Sequence, residues 1–329
     1  MRKRAVVLSF TALLAGASPG HKSVEATDAD ALLIAQIVAE HRLDARQKAE
    51  IEAIFAGSTM LGQGNPAVTR HPMSVAACQE RQAAAGMVLD DPASTRICRA
   101  PYMAPLDGQT CIDRLEFPGF PCAYPVVWVR ASEAAAICAA MGKRLCDAHE
   151  WEGACAGTVE APDYDFSLAT GQSDATAVGR MRAAHNQRHL PSKTWSYGPT
   201  YRSGVCATAS HKSPSCNGGS WSGCGSNTFP TGAFPECHSP LGVYDLNGNA
   251  AEHMNLPLAP DQLASRASSP LGVTEMKGSW FVFDEVRAHE DWCRWRAPHW
   301  HGSRLLTDES HRNYHLGFRC CKSIADGGG

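Results

Sequence analysis

The stretch YPVVWVRASEAAAICAAMGKRLCDAHEWEGACAG, residues 124–157, decides the fold. It opens with YPVVWVR, apolar and β-branched, which predicts a short strand. Ser132 to Met141 predicts a helix: Ser132 is placed to cap it, the alanines from 134 to 140 favour it, and Gly142 ends it. Asp147 begins a second helix, with Glu150 three residues on as its capping-box partner and Gly157 just past its end. Short strands and short helices therefore alternate here.

The pattern continues in both directions. Upstream, CIDRLEF from Cys111 predicts another strand. Residues 27–56 carry helical spacing, with Leu32, Leu33, Ile37 and Val38 on one stripe and Ile51, Ile54 and Phe55 on a second, ended by Gly57. Gly62 to Met73 is loop-like. Downstream, residues 157–235 are rich in Gly, Ser, Thr, Asn and Pro, a long irregular region that needs covalent staples in a compact domain. LGVYDL, EMKGSWFVF and HLGFRCC then predict short strands. The expected organisation is a leader at 1–17, a helical extension at 18–110, a main α+β domain at 111–322 and a flexible tail at 323–329.

Arg2, Lys3 and Arg4 precede ten apolar residues from Ala5 to Leu14, and Ala15-Gly16-Ala17 is a small-x-small site. This is the pattern of a secretory signal peptide cleaved after Ala17. The apolar run is shorter than the roughly 20 residues a membrane span needs, and no later stretch is apolar enough. The expected location is secreted or periplasmic. The formal net charge of −3 falls by three to −6 when the three basic residues leave, which argues against nucleic acid as a partner.

The chain has 14 cysteines, an even count that reads as up to seven disulfides in an exported protein. No CxxC occurs, and adjacent Cys320 and Cys321 are expected to pair elsewhere rather than with each other. Zinc held by cysteines is the weaker reading.

Four segments in order resemble the sulfatase-modifying-factor family, the family of the formylglycine-generating enzyme. They are residues 124–157, TFPTGAFPE at 228–236, GVYDLNGNAAEHMN at 242–255, and the set KGSW (277–280), RWR (294–296) and LGFRCC (316–321). The resemblance implies a loop-rich variant of the C-type lectin fold over residues 111–322. It also implies a Cys138–Cys320 disulfide. The partner that the family gives the cysteine at 155 falls near Ala297, which cannot bridge, so Cys293 or Cys321 is the candidate. Cys146 replaces a proline usual in the family.

The family further implies structural calcium. Asn249 and Glu252 stand where ligands of one site sit, and Asn186 in AHNQRH resembles the asparagine of another. Oxygen ligands on loops suit calcium. Gly232 stands where an aspartate is often found.

The formylglycine-generating enzyme oxidises a substrate cysteine at copper held by two thiolates, a donor set that suits Cu(I). Counted from KGSW the first cysteine position is Val282. Counted back from RWR the second falls on Trp292, with Cys293 beside it. One thiolate is missing, so formylglycine generation does not fit. Another route to a redox metal is iron on two histidines and a carboxylate, from His289, His299 and His301 with Asp284, Glu285, Glu290 and Asp291 nearby. His299 and His301 would share a face if they lie on a strand. The alternation Arg294-Trp295-Arg296 fits a strand with Trp295 on the opposite face, and the two arginines are candidates, with Trp292, for gripping a carboxylate or peptide backbone; buried structural arginines are the alternative.

Two readings stay open: a metal-dependent oxidoreductase with Cys293, His299 and His301 as catalytic candidates, or a non-catalytic module that binds a peptide or small molecule. Shared fold alone does not decide between them.

Overall fold

The computed structural model describes residues 24–65, 69–214, 216, 223–268, 270–299 and 302–324. Residues 1–23, which include the expected leader at 1–17, and His301 and residues 325–329 lie outside them. Among the described residues no helix is long and apolar enough to cross a membrane.

The molecule is an α+β assembly of two small sheets set among short helices and long loops. In the first sheet β1 (Met103–Pro105), β2 (Thr110–Asp113), β7 (Cys320–Ser323) and β3 (Arg144–Leu145) lie in the order β1-β2-β7-β3. In the second, β4 (Ala251–Leu256) is central, antiparallel to β5 (Val273–Lys277) and parallel to β6 (Leu316–Phe318). The sheets meet in sequence at LGFRCC, where the chain leaves β6 at Phe318 and enters β7 at Cys320. The first sheet begins at Met103, inside the stretch assigned to the extension. It runs through Ser323, which pairs with Thr110, so the expected tail does not start at 323.

Helices α5 (Ala131–Ala140) and α6 (Ala148–Ala156) fall where the quoted stretch puts them. Asp147 stands at the cap of α6 and donates its N–H to Glu150 Oε2 at 2.8 Å, and Gly157 follows the helix in the left-handed conformation at φ 83°. Ser132 does not cap α5. The helix starts one residue earlier, with Arg130 at the cap and Glu133 accepting the Arg130 N–H at 2.7 Å.

YPVVWVR is not a strand. Val126 to Val129 are buried on every side, and their backbone bonds scatter to Phe117, Gly62 and Asn313. An unbroken apolar run fits a buried loop as well as a strand, and alternation, the signal that separates them, is absent. LGVYDL likewise makes only an isolated bridge, His238 to Tyr244.

Ahead of the sheets, α1 (Val24–His41) and α2 (Ala45–Gly57) form a hairpin, and α3 (Val75–Ala84) and α4 (Pro92–Cys98) follow. Leu33, Ile37, Ile51 and Phe55 bury against Ile137, Cys138 and Phe318, so the extension shares one core with the main domain. Leu32, expected on the buried stripe, is 70% exposed, and Ile34 takes its place. Burial of each such side chain stabilises by about 1.5–3 kcal/mol, so the hairpin is an integral part of the fold.

The irregular region holds one long element not expected there, α7 (Asp174–His189), capped by Ser173. Its buried face is thin, and Gly179 interrupts it, so apolar periodicity is weak.

Seven disulfides account for all fourteen cysteines: 78–122, 98–111, 138–320, 146–321, 155–293, 206–237 and 216–224. Cys320 and Cys321 pair separately, with Cys138 in the last turn of α5 and Cys146 just before α6, which fastens the second strand of LGFRCC to both helical segments.

Candidate functional site

The loop from Gly278 to Ala297 leaves β5 and returns under α6 and α7. Gly278 starts it at φ 75°, where an added Cβ would lie 2.8 Å from the Leu246 carbonyl oxygen. Only glycine is unstrained there. Trp280, Phe281, Val282 and Phe283 follow, all buried. Val282 packs with Trp128, Ala250 and Tyr314 and brings no donor atom.

Cys293 is bridged to Cys155 of α6, and its N–H donates to the Thr194 carbonyl at 2.8 Å. Of its two readings, bridge partner of Cys155 and catalytic thiol, Cys293 takes the first. With every cysteine in a disulfide, no thiolate remains to hold Cu(I).

The two arginines are not free to grip a ligand. Arg296 is fully buried; its Nε lies 3.0 Å from Glu152 Oε1 and its Nη2 2.8 Å from Asp163 Oδ1, while its guanidinium carbon stands 4.7 Å from the centre of the Tyr164 ring. Lys277 Nζ also donates to Glu152 at 2.5 Å. Against the opposing effect of burial, Arg296 and Lys277 hold the Glu152 carboxyl well below the usual carboxylate range, and the hydrogen bond with His185, followed by the Arg296 charge, does the same for Asp163. Arg294 donates to the Thr158 carbonyl at 2.8 Å and pairs with Glu160 at 2.9 Å. Both are structural, and the expected strand at 294–296 is absent, although Arg294 and Arg296 do bury more deeply than Trp295 between them.

The residues expected to hold calcium do not fit it. Asn249, left-handed at φ 58°, accepts the Phe229 N–H on Oδ1 at 2.8 Å and donates from Nδ2 to Glu116 at 2.6 Å. Both Glu252 oxygens face donors, Trp151 Nε1 at 2.6 Å and the Arg319 guanidinium at 2.5–2.9 Å. Asn186 pairs with the backbone of Arg296, accepting at 2.9 Å and donating at 3.1 Å. Calcium needs oxygens with free lone pairs directed at one point, and these oxygens are committed to N–H donors. Arg319 lies among Glu252, Glu116 and Asp245. Burial foremost, with repulsion from its acidic neighbours, raises Glu116 well above its ordinary range; burial and Glu252 raise Asp245 to about 7.

His289 stacks on Trp295 with ring centres 4.9 Å apart, and it meets Trp280 edge-on. His299 lies against Gly302, where a Cβ would sit 2.4 Å from its ring. Among the described residues, neither His289 nor His299 belongs to a cluster of three atoms spaced to ligate a metal. The carboxylates near them have other partners: Asp284 accepts from Thr208 and Ser203, and Asp291 from Trp195 and Ser279.

What the loop does form is one wall of a cleft of about 270 Å³. Glu290, Trp292 and Trp295 face Arg182 and Asn186 of α7, and Leu190 just past its end, across it. Lys193 pairs with Glu290 at 3.0 Å and lies over the Trp292 ring at 5.6 Å. Trp292 Nε1 is buried with no hydrogen-bond partner. The cleft thus offers the part-exposed Trp295, an edge of buried Trp292, an exposed leucine, and two basic side chains, Arg182 and Lys193, beside acidic Glu290. Trp292 is the one proposed ligand-gripping residue that reaches it. α7 was missed as its other wall, though Ser173 three residues before Thr176 is a cap signal.

A family model described as the sulfatase-modifying factor enzyme 1-like domain matches residues 119–324. The chain belongs to this family. No curated protein matches. One solved structure, titled "Crystal Structure of CarF", is 13% identical, with 77% of this chain and 84% of that chain covered and a TM-score of 0.29.

Proposed function

We propose that this protein is an exported, non-catalytic member of the sulfatase-modifying-factor family. It uses the cleft between α7 and the Cys293 loop to hold a peptide or small molecule. The observation that carries the reading is the Cys155–Cys293 disulfide. It ties up the one cysteine near the family's copper positions, while Val282 fills the other with a buried hydrocarbon. The thiolate pair that oxidation of a substrate cysteine would need is absent from both places. What remains at the surface of this loop is an amphipathic slot. Trp295, backed by buried Trp292, supplies contact area, and Arg182, Lys193 and Glu290 supply charge of both signs, the composition of small ligand sites.

Export is supported by the leader pattern and by seven disulfides, which form and persist in oxidising compartments. The test has two arms. Copper-loaded protein incubated with a cysteine-containing peptide is followed by mass spectrometry for conversion of the cysteine to an aldehyde, and no conversion is expected. Peptides and amino-acid derivatives with an aromatic residue are then screened by tryptophan fluorescence, with Trp295→Ala expected to abolish the response. Aldehyde formation sinks the non-catalytic reading; a response unchanged in Trp295→Ala sinks the cleft.

A further inference from the structure

Asp163, in the loop after α6, faces two histidines of α7. His185 and His189 are four residues apart and so share a helix face. His185 Nδ1, His189 Nε2 and an Asp163 carboxylate oxygen all lie within 4.8 Å of one another. Neither histidine belongs to the set that the sequence offered for iron.

The hydrogen bonds around this cluster have a direction. His185 Nε2 lies 2.7 Å from the Arg294 carbonyl oxygen. A carbonyl only accepts, so Nε2 carries the hydrogen. In a neutral ring the lone pair is then on Nδ1, which lies 2.7 Å from Asp163 Oδ2. Two lone pairs at that separation repel unless a cation lies between them. His189 Nε2 approaches the same oxygen at 3.4 Å. The other oxygen, Oδ1, is held by Arg296 at 2.8 Å, which leaves Oδ2 turned toward both imidazoles. This is the outer arrangement typical of metal ligands: the histidine gives its second N–H to a backbone carbonyl, and a donor fixes the carboxylate.

We propose that Asp163, His185 and His189 form a site for a divalent transition-metal ion, zinc by preference. Two imidazoles and a carboxylate are a zinc donor set, with a fourth position left for water or a ligand. Without metal, a proton occupies the place between Nδ1 and Oδ2. Metal entry displaces it to solvent and opens the Nδ1–Oδ2 separation to about 3.4 Å, as bonds of roughly 2.0–2.2 Å to each atom at a tetrahedral angle require. Asp163 has room for that movement, since its side chain is 13% exposed. Two cations oppose the ion. Arg296 is already offset by Glu152. Arg188, 3.5 Å from Asp163, has a side chain 67% exposed and can turn to solvent.

The test uses the untagged protein, stripped with a chelator, dialysed, and titrated with Zn²⁺ by calorimetry and with Co²⁺ by visible absorption. One equivalent of each is expected, with the intense Co²⁺ bands of a four-coordinate site. His189→Ala and Asp163→Asn are each expected to weaken binding by at least about tenfold, and His299→Ala to leave it unchanged. Should Asp163→Asn not fold, His189→Ala decides, because His189 has only the longer contact to Asp163. Absence of saturable binding, or equal affinity in His189→Ala, would show the cluster to be a proton-bridged ion-pair network. Neither result bears on the cleft or on the missing thiolates.

Discussion

Cys155 of α6 and Cys293 of the long loop are covalently joined, and both are completely buried beside Trp151 and Leu246. The bond closes 138 residues of sequence. It fixes the loop to the helix that also carries Glu152, the anchor of Arg296 three residues beyond Cys293. One disulfide and one buried ion pair thus hold the same turn of chain from two sides.

Loss of the disulfide is therefore expected to cost stability rather than an activity. Cys155→Ala, Cys293→Ala and the double variant should unfold at similar denaturant concentrations, each about 2–4 kcal/mol less stable than the parent. Alkylation of the unreduced parent followed by mass spectrometry should find Cys293 unmodified. A modified Cys293 in native protein would return the thiol to consideration.

Arg296→Met is expected to destabilise by about 3–5 kcal/mol, because it leaves Glu152 and Asp163 buried with less compensation. Arg296→Lys should recover little of this. A lysine ammonium is a point charge and does not span two carboxylates as the guanidinium fork does. Urea unfolding of the three proteins measures both, and full rescue by lysine would contradict the geometry.

Asp147 was legible as a helix cap, but its larger role was not. Its N–H donates to Glu150 Oε2 at 2.8 Å at the start of α6, while its carboxylate accepts from Asn255 Nδ2 at 2.6 Å and from the N–H groups of Ala264 and Ser265 at 3.0 and 2.9 Å. Asp147→Ala should therefore cost more than the roughly 1 kcal/mol of an isolated cap, since it strands donors across the second sheet. An unfolding free energy lowered only by that cap value would show the distant bonds to contribute nothing.

The same contrast runs through the molecule. Helix α6 could be read because its signals are local: a cap, a box partner and a terminal glycine within eleven residues of sequence. The family could be read because GNAAE and GFRCC keep their order. What could not be read depends on distant partners. Asn249 and Glu252 look like oxygen ligands in sequence, but Glu116, Phe229 and Arg319, which occupy them, come from far along the chain. Arg294 and Arg296 alternate as strand residues would, yet what buries them is the loop after α6. His185 and His189 stood in plain view at helical spacing, and only Asp163 across the gap gives them meaning.

Glu275 provides the prediction with the clearest sign. It is fully buried on β5, accepts the Ala297 N–H at 2.7 Å, and lies 3.8 Å from Lys277, which Glu152 holds more closely. Burial raises its carboxyl from 4.5 to about 7, outweighing the Lys277 charge. The folded protein therefore holds this proton where the unfolded chain has released it. Stability contributed by the protonated group is complete below about pH 4.5 and is lost as pH rises through 7, on the order of 3 kcal/mol in all. Glu275→Gln keeps the shape and removes the titration. The variant should match the parent near pH 4.5 and exceed it above pH 7, so the difference in urea midpoint should grow between those limits. Other buried acids titrate in both proteins and cancel in the comparison. A difference that stays constant with pH would mean that Glu275 is ionised throughout, with Lys277 as its true partner.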